Sequence, residues 1–138
     1  MSDELAVLHV EDSDADGDLV RHELAKIGRA LDYRRVQTEE EMRAALADRT
    51  WDVVLADYRL PRYSATEALD HLRSIDPDTP FIVVSGFIGE EAAVQMMRAG
   101  ARDYLMKDNL ARLAPTVERE AAEAAARREK RRAEQALR

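Results

Sequence analysis

The 138-residue sequence predicts one α/β domain: a five-stranded parallel sheet, doubly wound, with helices on both faces and an extended C-terminal helix. Three observations carry this. Short apolar runs without a polar face, LAVLHV (5–10), VVLA (53–56) and FIVVS (81–85), read as strands buried on both sides. Segments with apolar residues at helical spacing lie between them. The two kinds alternate, strand then helix, five times over, which implies parallel neighbours joined by crossovers.

The elements follow in order. After the first strand, Val20, Leu24 and Ile27 mark a helix that Gly28 stops. RRVQ (34–37) is the second and weaker strand. Met42, Ala45, Leu46 and Arg49 mark the next helix, opened by Thr38 with Glu41 three residues on, a capping box. Trp51, ahead of the third strand, reads as a partly buried packing residue. Ala65, Ala68, Leu69, Leu72 and Ile75 form the clearest stripe, opened by Ser64 and Glu67 in the same capping arrangement. Residues 88–99 make a helix ended by Gly100, and one of Met96 and Met97 belongs to the core. RDYLM (102–106) supplies the fifth strand. The last helix follows a short turn at 109–113, with Pro115 in its first turn, where a missing N–H costs nothing.

Composition excludes several chemistries. With no cysteine there is no disulfide, thiolate or cysteine zinc site, and His9, His22 and His71 lack metal-ligand spacing. No apolar run approaches the roughly 18 residues of a membrane span. No signal-peptide layout opens the chain, so it reads as cytoplasmic. The net charge of −7 divides into −10 over residues 1–108 and +3 over residues 109–138, and so acidic a body disfavours nucleic acid. RREKRR (127–132) is interrupted by Glu129 and carries no interleaved aromatic, which suits a solvated helix face better than a nucleic-acid contact.

Residues 12–23, DSDADGDLVRHE, fit a calcium-loop pattern, with Asp12, Asp14, Asp16 and Glu23 as ligands and Gly17 at the turn. A calcium-binding protein is therefore the alternative reading. That loop needs a helix on each side, however, and the strand-like LAVLHVE precedes it. Asp14 or Asp16 suits the N-terminus of the following helix instead.

Ligand sites in such sheets lie at the carboxyl ends of the strands. Glu11 and Asp12 follow the first strand, Asp57 the third, Ser85 closes the fourth and Lys107 follows the fifth. Three carboxylates so close repel unless a cation intervenes. An oxygen-seeking divalent ion suits them, and the lysine and hydroxyl supply donors for phosphoryl oxygens.

VEDS, LADYRLP, VVSG and YLMK, in this order and spacing, resemble the receiver domains of bacterial response regulators, the CheY-like family, over residues 5 to about 120. The resemblance implies a flavodoxin-like sheet of strand order 2-1-3-4-5. It implies a domain that accepts a phosphoryl group on Asp57 from a histidine kinase or histidine phosphotransfer protein. Such a domain loses the group slowly and is no turnover enzyme. It further implies Mg²⁺ (or Mn²⁺) held by Glu11, Asp12, Asp57 and the main-chain carbonyl of Arg59. Lys107, Ser85 and the backbone of Gly86 would contact the phosphoryl group, and Ser85 and Tyr104 would form the switch. Arg59 and Phe87, two residues beyond Asp57 and Ser85, are placed to overhang it. Two departures stand out. Asp108 follows the lysine where the family usually has proline, so a trans peptide is expected. Arg62 replaces the glycine that often follows Leu60-Pro61, which favours a type I turn.

The sequence divides into a receiver domain over 1–122 and a helical extension or linker over 123–138. EREAAEAAARREKRRAEQALR is made of strong helix formers, and its end resembles linkers that precede sensor or kinase modules. That suggests a longer chain and a weak pairing of two copies through this helix. Arginines 127, 128, 131 and 132 crowd positions where a seam would want apolar residues.

Overall fold

A computed structural model describes residues 4–86 and 89–137. The strands are β1 (Leu5–Val10), β2 (Leu31–Val36), β3 (Val53–Ala56), β4 (Phe81–Ser85) and β5 (Asp103–Met106). The helices are α1 (Asp14–Ala25), α2 (Glu39–Asp48), α3 (Ala65–Ile75), α4 (Glu90–Ala99) and α5 (Leu113–Ala136), the last preceded by a 3₁₀ turn at Leu110–Arg112. All pairings are parallel and the order is β2-β1-β3-β4-β5. This is the doubly wound sheet that the alternation predicted.

Strand residues alternate between two cores because successive side chains point to opposite faces. Ala6, Leu8, Val10, Val54, Phe81 and Val83 pack with α2, α3 and α4. Leu5, Val7, Val53, Leu55, Ile82 and Val84 pack with Val20 and Leu24 of α1 and Leu113 and Val117 of α5. Burial on both faces explains why β1, β3 and β4 read as continuous apolar runs. β2 is an edge strand, half-buried from Leu31 to Arg35, and it starts three residues before the run that suggested it.

Helix ends follow their capping chemistry. Ser64 and Glu67 form a complete capping box on α3. At α2 the box is half made: Thr38 Oγ1 accepts from the Glu41 N–H, but the Glu41 carboxylate takes the N–H of Gln37 rather than that of Thr38. Ser13 caps α1, which leaves Asp14 and Asp16 in its first turn. Gly100 ends α4 with φ +122°, a conformation that would strain a side chain, and the Arg73 guanidinium lies where its Cβ would be. Pro115 falls in the first turn of α5, as required. Met96 is the core methionine and Met97 is partly exposed.

Two expectations need correction. Trp51 is 1% exposed rather than partly buried. Its Nε1 donates to the Ala45 carbonyl at 2.8 Å, and Arg34 and Arg49 lie over its ring. The arginines of the C-terminal helix are not a solvated face throughout. Arg127 donates to the Asp78 carbonyl at 2.9 Å, and Arg128 donates to Asp76 at 3.2 Å and to the Thr79 hydroxyl. Arg131 pairs with Asp78 at 2.9 Å. These contacts latch α5 onto the loops that enter β3 and β4, at the edge of the sheet opposite the strand ends that carry Asp57 and Ser85. Among the described residues, no helix is long and apolar enough to cross a membrane.

Candidate functional site

Backbone hydrogen bonds between neighbouring strand ends build the site. The Glu11 N–H donates to Val36, that of Asp57 to Val10, and that of Lys107 to the Ser85 carbonyl. Ser85 at the end of β4 and the residues just past β1, β3 and β5 are therefore brought level at one edge. Side-chain chemistry then joins them. Ser85 Oγ donates to Asp57 Oδ1 at 3.1 Å, and Lys107 Nζ reaches Asp57 Oδ2 at 2.8 Å. Lys107 also pairs with Glu11 at 2.9 Å and with Asp16 at 2.6 Å. The peptide between Lys107 and Asp108 is trans, as the missing proline suggested, and the lysine still reaches the aspartate.

Burial sets the electrostatics. Glu11 is fully buried, Asp57 and Ser85 nearly so, and Asp12 is exposed. Desolvation raises the Glu11 carboxyl to about 7, against the stabilising pull of Lys107 and the Ser13 N–H. Burial alone would lower the Lys107 ammonium, but Asp16, Asp57 and Glu11 outweigh it and hold the lysine above its ordinary value. His9, buried behind the site, is lowered to about 3 chiefly by desolvation and stays neutral, with Nδ1 at 2.6 Å from the Tyr33 hydroxyl.

Glu11, Asp12 and Asp57 offer carboxylate oxygens within 4.8 Å of one another. Glu11 Oε2 is buried without a well-directed hydrogen bond. An all-oxygen set of three carboxylates, two of them buried, fits a hard divalent cation. The Arg59 N–H donates to Asp57 Oδ1 at 3.2 Å, which curls the loop after β3 over the aspartate. Gly86 is exposed, with open space where a Cβ would stand. Tyr104 is 40% exposed, its ring turned out on the edge strand β5. Phe87 lies outside the described residues.

The calcium-loop reading is overturned by where the same acids go. Most of residues 12–23 is helix α1, and the strand β1 stands where an entering helix would be needed. Asp14 pairs with Arg35, Asp16 with Lys107 and Glu23 with Lys26, so the would-be ligands face three different cations. Reasoning from strand ends missed Asp16, which enters the site from the first turn of α1. Its place three residues after the Ser13 cap, in the first turn of the helix that directly follows Glu11 and Asp12, is the signal that could have found it. It also missed Arg35, which donates to the Glu11 carbonyl at 2.8 Å from the edge strand.

Residues 7–118 match the family model of the response regulator receiver domain. The chain is 32% identical over 77 residues to the response regulator protein PilR of Pseudomonas aeruginosa, a match that covers 56% of this chain and 17% of PilR. The structure is similar to NtrX of Brucella abortus, with a TM-score of 0.81 and 30% identity, covering 94% of this chain and 29% of that one. It also superposes on a response regulator receiver domain protein from Clostridium thermocellum with a TM-score of 0.78 at 20% identity, covering 88% of this chain and 98% of that one. The chain thus spans less than a third of PilR and of NtrX.

Proposed function

Because this chain belongs to the response regulator receiver domain family, we propose that it takes up a phosphoryl group on Asp57 and relays its presence to a partner. The observation that carries this is the contact set of Asp57, whose two oxygens are held separately by the Ser85 hydroxyl and the Lys107 ammonium. A structural carboxylate at a strand end needs neither. A carboxylate that must present an oxygen to phosphorus, and then share donors with the phosphoryl oxygens, needs both.

The donor is the phosphohistidine of a histidine kinase or histidine phosphotransfer protein. An Asp57 oxygen attacks phosphorus, an O–P bond forms, and the histidine P–N bond breaks with its electron pair returning to the imidazole. Lys107 and Ser85 then donate to phosphoryl oxygens, together with the backbone N–H of Gly86. Mg²⁺ or Mn²⁺ held by Glu11, Asp12, Asp57 and the Arg59 carbonyl would neutralise charge on those oxygens. As Ser85 turns to the new dianion it leaves space that the outward Tyr104 ring can enter, a shift between two packings. Arg59 shields the group from water, and release by hydrolysis is slow. The domain turns over no substrate of its own and works in the cytoplasm, its output carried by a further module or a separate partner.

The test is intact mass after incubation with acetyl phosphate, with and without Mg²⁺. One phosphoryl group is expected, dependent on the metal and absent from Asp57→Asn. Undiminished labelling of that variant would move the site elsewhere.

A further inference from the structure

We propose that Asp16 is a positioning residue for Lys107, keeping the ammonium at the phosphoacceptor when Glu11 and Asp57 engage a metal ion. The inference rests on the reading of Asp57 as phosphoacceptor and extends it to a residue outside the metal group.

A lysine ammonium has three N–H donors. Here three carboxylates surround it, Asp16 at 2.6 Å, Asp57 at 2.8 Å and Glu11 at 2.9 Å. Glu11 and Asp57 belong to the metal-capable group with Asp12, and Asp16 does not. A divalent ion that draws on the first two weakens their hold on Lys107 and repels the ammonium. Asp16 is then the carboxylate left to retain it, one donor on Asp16 and the others free for phosphoryl oxygens.

Asp16 is built for this. It sits in the first turn of α1, with its N–H bonded to the Ser13 cap at 3.2 Å, so its carboxylate projects from fixed backbone. Lys107 is held through its main chain by the Ser85 carbonyl, but its side chain lacks comparable restraint. It is the first residue past β5, it is followed by Asp108 rather than a ring-locked proline, and its stem is long and flexible. An acid serving only the helix dipole would need no partner. Asp16 instead meets a cation 91 residues away in sequence.

The experiment uses the full chain, acetyl phosphate and saturating Mg²⁺. Asp16→Asn should label about tenfold more slowly than wild type, the effect of roughly one charged hydrogen bond, and Asp16→Glu should recover most of the rate. Combined with Lys107→Met, Asp16→Asn should cause no further loss, because its effect passes through the lysine. With saturating Mg²⁺ and no phosphodonor, the Lys107 ammonium protons should exchange with water faster in Asp16→Asn, as read by NMR. Wild-type labelling and wild-type exchange in Asp16→Asn would overturn the inference while leaving Asp57 in place. Losses that multiply in the double variant would overturn it too, since Asp16 would then act without Lys107. A wild-type chain that takes no phosphoryl group would defeat the reading of Asp57 first, and this inference with it.

Discussion

Ser85 Oγ stands 3.1 Å from Asp57 Oδ1, while the Ser85 carbonyl accepts the backbone N–H of Lys107 at 2.8 Å. One residue therefore touches Asp57 through its side chain and fixes the lysine through its main chain. Replacing the hydroxyl separates the two roles. Ser85→Ala keeps the main-chain bond, so Lys107 should stay and Asp57 should still label, several-fold more slowly for want of one donor.

Tyr104 reports the same split. Its ring is turned outward, and phosphorylation should bring it in only as Ser85 moves. With fluorotyrosine in place of tyrosine, the wild-type Tyr104 resonance should move on adding acetyl phosphate and Mg²⁺. In Ser85→Ala that movement should no longer follow labelling. A Tyr104 signal that tracks phosphorylation equally in both proteins would remove Ser85 from the switch.

Trp51 is a stability anchor far from the chemistry. Trp51→Phe removes the indole donor from the Ala45 carbonyl and leaves a gap in a fully buried site. The loss should be ~2–3 kcal/mol, seen as a lower urea midpoint at unchanged slope. Acetyl phosphate labelling of the folded variant should stay at the wild-type rate.

The arginine latch predicts a further effect. Arg128→Ala deletes contacts to Asp76 and Thr79 at a largely covered side chain and should cost about 1–2 kcal/mol. Amide exchange should rise selectively over the last turns of α5. Any pairing of two copies through this helix would have to compete with the latch. Sedimentation of Arg128→Ala/Arg131→Ala should therefore show more self-association at high concentration than wild type. Equal behaviour would leave the helix no part in pairing.

What the sequence revealed of this molecule depended on the kind of signal. β1, β3 and β4 are buried on both faces, so their apolar runs announced them. β2 lies at the edge and alternates Tyr33, Arg34 and Arg35 across a half-open face, which blurred its start. Glu11, Asp12, Asp57, Ser85 and Lys107 were legible because a parallel sheet gathers strand ends at one edge, whatever the helices do. Asp16 and Arg35 were not, since each reaches the site sideways, from a helix turn and from a neighbouring strand. The latch was hidden for a similar reason. Its acceptors include main-chain carbonyls and loop aspartates whose position depends on where β3 and β4 begin. The basic run showed its charge in the sequence and nothing of its target.

The latch also fixes a bearing. Helix α5 runs about 36 Å at 1.5 Å per residue, and Arg127, Arg128 and Arg131 pin its rotation about its own axis as well as its place. Each added residue turns whatever follows by about 100°. A module joined beyond this helix would face one compass direction from the sheet, and a single inserted residue would swing it to another side. Seven inserted residues would return it to within roughly 20° of the original heading. Output that depends on orientation should then rise and fall with linker length, in step with the helical repeat.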